Sequence, residues 1–113
     1  MINGKTAQIK SEGELNDALQ AKNRLFALIY ASWCPFCLRF LPVFERYARE
    51  AMGNFLMVQD DQELVADKYM IEVVPTVLFF KDGRVVKRLD GVLGVGLNEP
   101  QLKDFIKECS VIF

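Results

Sequence analysis

The segment at residues 25–31, LFALIYA, is a nearly continuous apolar run, and it constrains the fold more than any other part of the chain. Its length is that of a single β-strand. Apolar runs of this kind are typical of strands buried on both faces, as in parallel sheets that are covered by helices on each side. The run therefore predicts an α/β fold built around this strand.

Further periodic segments give the element order β-α-β-α-β-α-β-β-α. Ser11 followed by Glu14 has the pattern of a capping box at the start of the first helix. Asp82-Gly83 lies between two apolar segments and predicts a hairpin, which adds antiparallel strands to a parallel first half. The predicted strands are 6–9, 25–31, 55–59, 76–81 and 84–89, and the helices after the first are 34–51, 63–69 and 99–108.

The size and charge of the chain exclude several classes of protein. Its 113 residues, 51% of them hydrophobic, suit a single domain over residues 1–113. The 14 basic and 15 acidic residues are spread along the chain, which argues against nucleic-acid or membrane partners. No apolar run approaches the roughly 20 residues of a membrane span, and the polar amino terminus does not resemble a signal peptide. A cytoplasmic location is expected.

Cysteine and histidine content narrows the chemistry further. Three cysteines are too few for a disulfide-rich secreted fold, and the chain has no histidine. The lack of histidine excludes catalysis by a histidine base and cysteine–histidine nucleophile pairs. It also excludes most designs of zinc or iron site, so no metal and no cofactor are expected.

The remaining candidate for chemistry is the motif Cys34-Pro35-Phe36-Cys37, which follows Trp33. Cys34 stands where the buried strand ends and a helix begins, and unpaired N–H groups and the helix dipole stabilise a thiolate there. Pro35 fits the first helical position, where a missing N–H costs nothing. Cys37 lies one turn further on and can attack a mixed disulfide formed at Cys34. The motif therefore predicts a redox dithiol, and half of a zinc site is the less favoured interpretation because only Cys109 remains as a soft ligand.

Other segments extend the pattern in a consistent order. They are Trp33-Cys34-Pro35-Phe36-Cys37 after the apolar strand, Pro42 in the next helix, Val74-Pro75-Thr76 before the hairpin, and Lys81-Asp82-Gly83 in its turn. Together these segments resemble the thioredoxin family, and the similarity covers residues 25–106.

The resemblance implies a thioredoxin fold, with a central mixed sheet of four to five strands and helices on both faces. It implies a thiol–disulfide oxidoreductase that acts on protein disulfides as a monomer and receives electrons from a disulfide reductase. It also implies a cis Val74–Pro75 bond beside the dithiol. A shallow apolar substrate surface would be formed by Trp33, Val74, Pro75 and the segment from Gly91 through Val92 to Leu93.

The chain departs from the family pattern at two places. One is the pair of residues between the two cysteines, and the other is a charged pair that thioredoxins bury near the second cysteine. Pro35 and Phe36 replace the usual Gly-Pro pair and are expected to tune the redox poise. Counting back from the cysteines places Leu28 where thioredoxins keep a buried aspartate. Counting back from Pro75 places Leu56, or Met57 if the register slips by one, where they keep a lysine. We therefore expect Cys37 to lack its usual proton acceptor, so that release of the mixed disulfide is slower or more dependent on pH. The alternative is that Leu28 is simply a core residue and that proton transfer does not limit release.

Three further features have a structural and a functional interpretation. The glycine-rich segment 91–100 is longer than the usual connection to the last helix, and it is either a tolerated loop or a modifier of partner choice. Cys109 is expected to be a small buried residue rather than a regulatory thiol. Asp60 and Asp61 are expected to turn the chain or cap the next helix, with proton relay as the alternative.

The sequence is compatible with several other functions. The same dithiol would serve an oxidase or isomerase, which differs in redox potential rather than in fold. A non-catalytic partner-binding domain is another possibility, and a dimer that bridges an iron–sulfur cluster through Cys34 is a third, because the Pro-aromatic motif resembles that of glutaredoxin relatives.

Overall fold

The secondary structure follows the predicted order. A computed structural model describes residues 7–51 and 54–112. The strands are Ala7–Ile9 (β1), Arg24–Tyr30 (β2), Phe55–Gln59 (β3), Thr76–Lys81 (β4) and Arg84–Leu89 (β5), and the helices are Glu12–Ala21 (α1), Pro35–Ala51 (α2), Leu64–Lys68 (α3) and Glu99–Ser110 (α4). Boundaries differ from the predicted ones by no more than two residues. Thr6, the predicted start of the first strand, lies outside the described residues.

The five strands form one mixed sheet in the order β1-β3-β2-β4-β5. β1 and β2 both pair with β3 in parallel, whereas β4 pairs antiparallel with β2 and β5. The apolar run thus forms the central strand, and all of β2 except Arg24 is buried. The prediction of a mixed sheet around this strand is confirmed.

Helices cover both faces of the sheet, as predicted. On one face, α2 and α4 bury Phe40, Phe44, Leu102 and Phe105 against the sheet. On the other face, α1 and α3 contribute Leu15, Val65 and Ala66 to a second apolar cluster. Because successive residues of a strand point to opposite faces, the uninterrupted apolar sequence of β2 supplies both clusters.

Two short-range signals in the sequence have the predicted geometry. The Ser11 hydroxyl accepts a hydrogen bond of 3.2 Å from the backbone N–H of Glu14 and caps α1. Asp82 and Gly83 have φ values of 53° and 83°, the left-handed conformations that a two-residue turn needs to match the twist of its strands. Among the described residues, no helix is both long and apolar enough to cross a membrane.

Candidate active site

Cys34 caps the amino terminus of α2. Its carbonyl oxygen accepts a hydrogen bond of 3.0 Å from the N–H of Leu38, and its sulfur accepts one of 3.2 Å from the N–H of Cys37. Pro35 takes the first helical position, which has no use for an N–H donor. An N–H that would otherwise lack a partner is thus directed at the Cys34 sulfur.

Cys37 lies beneath Cys34 and is closed off from solvent. Its exposed fraction is 0%, and it belongs to the same apolar cluster as Leu28, Tyr30 and Met57. Burial raises the pKa of the Cys37 thiol to about 12, assisted by its hydrogen bond with Cys34 and opposed by a backbone hydrogen bond with Ala31. The Cys37 thiol is therefore shielded from a large substrate and retains its proton at neutral pH.

The segment before β4 lies against the dithiol. The Cys34 sulfur is 3.7 Å from the carbonyl oxygen of Val74, within reach of a weak hydrogen bond from the thiol. The Val74–Pro75 peptide bond is cis, as the sequence resemblance implied. Thr76 closes the segment, since its hydroxyl donates a hydrogen bond of 2.6 Å to the carbonyl of Val73.

Gly91 is the point where the connection after β5 meets this segment. A Cβ atom at residue 91 would overlap the carbonyl oxygen of Pro75. The Gly91 N–H also lies 3.3 Å from the Thr76 hydroxyl, to which it donates. A glycine is needed here because the two backbones approach too closely for any side chain.

Trp33 stands at the surface beside Cys34, with 57% of it exposed. Its indole N–H donates a hydrogen bond of 3.1 Å to the carbonyl oxygen of Asp61. The Asp61 carboxylate accepts hydrogen bonds from the N–H and the hydroxyl of Ser32, at 2.7 and 2.8 Å. The Ser32 N–H first, then the amide of Gln59 and the Ser32 hydroxyl, lower the pKa of Asp61 by donating hydrogen bonds to its carboxylate. Asp61 thus fixes the turn before the dithiol.

The role of Asp61 was not predicted, because no local pattern links it to a residue 29 positions away. Asp60, in contrast, caps the next helix as expected. Its carboxylate accepts hydrogen bonds from the N–H groups of Val65 and Ala66, at 2.9 and 2.8 Å. Both carboxylates are therefore occupied by structural hydrogen bonds.

A cavity of about 290 Å³ opens at the dithiol. Cys34 lies in its wall, and the lining is apolar apart from Glu72. Pro75 and Gly91, which were predicted for the same surface, lie outside the lining, whereas Glu72, Val73 and Gly94 were not predicted. The lining residues are Trp33, Cys34, Pro35, Phe36, Glu72, Val73, Val74, Val92, Leu93 and Gly94.

The register of the sheet decides which residue faces Leu28. Leu28 is fully buried and pairs with Met57 of β3. Leu56, the first choice from counting back along the chain, is wrong, because it belongs to the apolar cluster on the opposite face of the sheet. Leu28 and Met57 thus put two uncharged side chains into the cluster that surrounds Cys37.

Three cysteines are present as free thiols, and Cys109 is buried in α4. Burial raises the pKa of the Cys109 thiol to about 11. Within residues 7–51 and 54–112, no group of three or more histidine, cysteine or acidic residues is placed to hold a metal ion.

A buried central strand, a dithiol at the start of the following helix and a cis-proline segment against it define the class of thiol–disulfide exchange proteins. The Thioredoxin family model matches residues 6–108. The chain belongs to the thioredoxin family.

Relatives and solved structures agree with this assignment. The chain is 30% identical to the thioredoxin of Mycoplasmoides gallisepticum over 88% of its length and 97% of that protein. It is also 30% identical to Thioredoxin H5 of Arabidopsis thaliana, over 80% of this chain and 78% of that one. A mutant thioredoxin from Halobacterium salinarum superposes with a TM-score of 0.77 at 26% identity, covering 97% of this chain and 95% of that one.

The predicted activity is confirmed at this level: the chain is a thiol–disulfide oxidoreductase that acts on disulfides of protein substrates. Neither the non-catalytic binding domain nor the dimer with an iron–sulfur cluster is favoured by these relationships.

Proposed function

We propose that Cys34 is the attacking thiol and Cys37 the resolving thiol of this oxidoreductase. The Cys34 thiolate attacks one sulfur of a substrate disulfide, forms a mixed disulfide and releases the other substrate sulfur as a thiolate, which takes up a proton. The Cys37 thiol then loses its proton and attacks the Cys34 sulfur. This step forms the Cys34–Cys37 disulfide and releases the second substrate thiol, so that the substrate is reduced by two electrons.

One observation carries this assignment: the Cys37 N–H donates its 3.2 Å hydrogen bond to the Cys34 sulfur. The bond directs a backbone donor at the sulfur of the attacking residue and holds the two residues in contact. Cys34 also lines the open cavity, whereas Cys37 has no exposed surface. A large substrate therefore meets Cys34 first, and Cys37 reacts only within the complex.

The substrate is proposed to bind as an extended segment across Trp33, Val74, Pro75 and Gly91. Support comes from the exposure of the Trp33 ring and from the 3.7 Å between the Val74 carbonyl and the Cys34 sulfur. Gly91 contributes through its close contact with Pro75, because it keeps the cis-proline segment in place. Pro35 and Phe36 set the redox poise through the groups that they place around the reactive sulfur.

The source of electrons and the setting are part of the same proposal. A disulfide reductase would return the Cys34–Cys37 disulfide to the dithiol, since the catalytic cycle leaves this protein oxidised. The protein is proposed to act as a monomer in the cytoplasm, where thiols are kept reduced.

The test is the reduction of insulin disulfides by four forms of the protein. Cys34→Ser should abolish activity, because serine does not form a mixed disulfide. Cys37→Ser should accumulate the mixed disulfide with substrate, visible by mass spectrometry. Cys109→Ala is the matched control, since it removes the third cysteine and should keep full activity. Equal activity of Cys34→Ser and the wild type would refute the assignment.

A further inference from the structure

The connection between β5 and α4 contains a turn, residues 92–96, that is closed by its own backbone. The Val92 N–H donates to the Gly96 carbonyl at 3.2 Å, and the Gly96 N–H donates to the Val92 carbonyl at 2.8 Å. Gly94 and Gly96 have φ values of 75° and 83°, which favour glycine at both positions. The shape of the turn is therefore determined locally.

This turn rests on the dithiol motif. A Cβ atom added to Gly96 would lie 3.0 Å from the Cβ of Phe36 and 3.5 Å from two carbons of its ring. The backbone of the turn is thus packed on the residue between Pro35 and Cys37. The guanidinium of Arg39 lies 5.4 Å from the centre of the Phe36 ring. Phe36 therefore packs against the turn and holds it beside the Cys34 sulfur.

Two apolar side chains of the turn differ in their position relative to the cavity. Leu93 is 83% exposed and lines the cavity that contains Cys34. Val95 is 62% exposed and is not part of the lining. An exposed leucine at the wall of an apolar cavity offers surface that only a bound molecule would cover.

We propose that Val92, Leu93 and Gly94 of this turn form the outer wall of the substrate groove and select disulfides whose cysteine is flanked by a large apolar side chain. This inference rests on the proposed function, since the Cys34 sulfur lines the same cavity and the occupant is the segment that carries the reacting disulfide. Leu93, Val92 and Val73 provide apolar contacts for the flanking residue. Glu72, the charged residue of the lining, disfavours an acidic residue at the same place.

The experiment compares two peptide disulfides that differ only in the residue next to the cysteine, leucine in one and aspartate in the other. For the wild type, kcat/KM should be at least ~10-fold higher for the leucine peptide, as expected for a large apolar group that enters an apolar pocket. Leu93→Ser should reduce this preference about 5-fold or more, because hydrophobic contact scales with the area covered. Val95→Ser is the matched control and should keep the wild-type ratio.

Hydroxyethyl disulfide has no flanking residue and reports on the dithiol alone. Its rate of reduction measures the dithiol in each protein, and the peptide rates of each variant are divided by it. Val95→Ser should reduce hydroxyethyl disulfide at the wild-type rate. If Leu93→Ser leaves the preference for the leucine peptide unchanged, or if both variants reduce it equally, the proposed role of the wall is overturned. The dithiol mechanism would not be affected by that result. Failure of the wild type to reduce hydroxyethyl disulfide would instead overturn the proposed function, and the inference with it.

Discussion

The surroundings of Cys37 oppose the loss of a proton that its proposed role requires. It must lose a proton to attack Cys34, yet burial raises the pKa of its thiol to about 12. Leu28 and Met57, which face each other across β2 and β3, give the cluster around it no carboxylate or amine. Deprotonation of Cys37 therefore depends on water or a surface group that gains access within the mixed disulfide.

The substitution Leu28→Asp tests this at a single residue. A carboxylate at residue 28 would accept the Cys37 proton, so release of substrate from the mixed disulfide should accelerate by about 10-fold near neutral pH and depend less on pH. Stopped-flow measurement of substrate release between pH 6 and 9 provides the comparison.

Leu28→Asn is the control for that substitution. It places a polar group of the same size in the core and should destabilise the fold to a similar extent, because both variants bury a polar group among apolar ones. It has no basic group and should keep the wild-type profile against pH. If Leu28→Asp also keeps that profile, proton transfer from Cys37 does not limit release.

At the scale of elements, α3 depends on a residue that precedes it. The helix has five residues and begins after Glu63, which has a left-handed φ of 63° and provides no side-chain cap. The Asp60 carboxylate instead binds the N–H groups of Val65 and Ala66. Asp60 is only 7% exposed, so water cannot readily replace these bonds.

Asp60→Ala should therefore lower the free energy of unfolding by about 2–3 kcal/mol, since two buried N–H groups lose their acceptor. Asp60→Asn keeps one acceptor oxygen and should cost roughly half as much. Urea unfolding of the three proteins measures the differences. Equal stability of Asp60→Ala and the wild type would show that α3 does not need this cap.

Most elements could be predicted because their signals are local. The apolar run of β2, the cap at Ser11 and the Asp82-Gly83 turn each depend on neighbours in sequence, and each was found with its position correct to one or two residues. The dithiol was found for the same reason.

Features that join distant segments could not be derived in this way. Counting back from Pro75 left both Leu56 and Met57 open as the partner of Leu28, because the count ran through α3 and its flanking turns, whose length the sequence alone does not establish. The register of the sheet selects Met57. The contact of Gly96 with Phe36 joins residues 60 positions apart. Positive-φ glycines are compatible with many turns, so their presence did not reveal which one would pack on the dithiol.

At the scale of the molecule, the sheet separates two apolar clusters, and all three thiols lie on the same side. Cys34, Cys37 and Cys109 belong to the cluster beneath α2 and α4. The pKa values of Cys37 and Cys109 are raised to about 12 and 11 by burial. The thiols of the unfolded chain have ordinary pKa values near 9 and lose their protons above that pH. The folded protein therefore keeps these protons at a pH at which the unfolded chain has released them.

This difference predicts how the stability of the reduced protein depends on pH. Both thiols are protonated in the folded and unfolded states below pH 9, so their contribution is complete there. Above pH 9 the free energy of unfolding should fall by up to about 1.4 kcal/mol per pH unit for each thiol, until pH reaches the folded-state pKa. Urea unfolding with a reductant present, between pH 8 and 11, measures the slope.

Cys37→Ala and Cys109→Ala each remove one titrating group, so each should make the fall with pH shallower. The double variant should be shallower still. If the free energy of unfolding of the double variant falls with pH as steeply as that of the wild type, other groups cause the loss of stability at high pH. Tyr30 is one such group, because burial also raises its pKa.

Trp33 has a spectroscopic consequence. It is the single tryptophan of the chain, it is largely exposed, and it lies in the wall of the cavity that contains Cys34. All tryptophan emission from this protein therefore arises at the entrance to the dithiol. A polypeptide that covers the ring removes water from it, and the protein thus contains an intrinsic fluorophore whose colour and intensity follow the occupancy of its own groove.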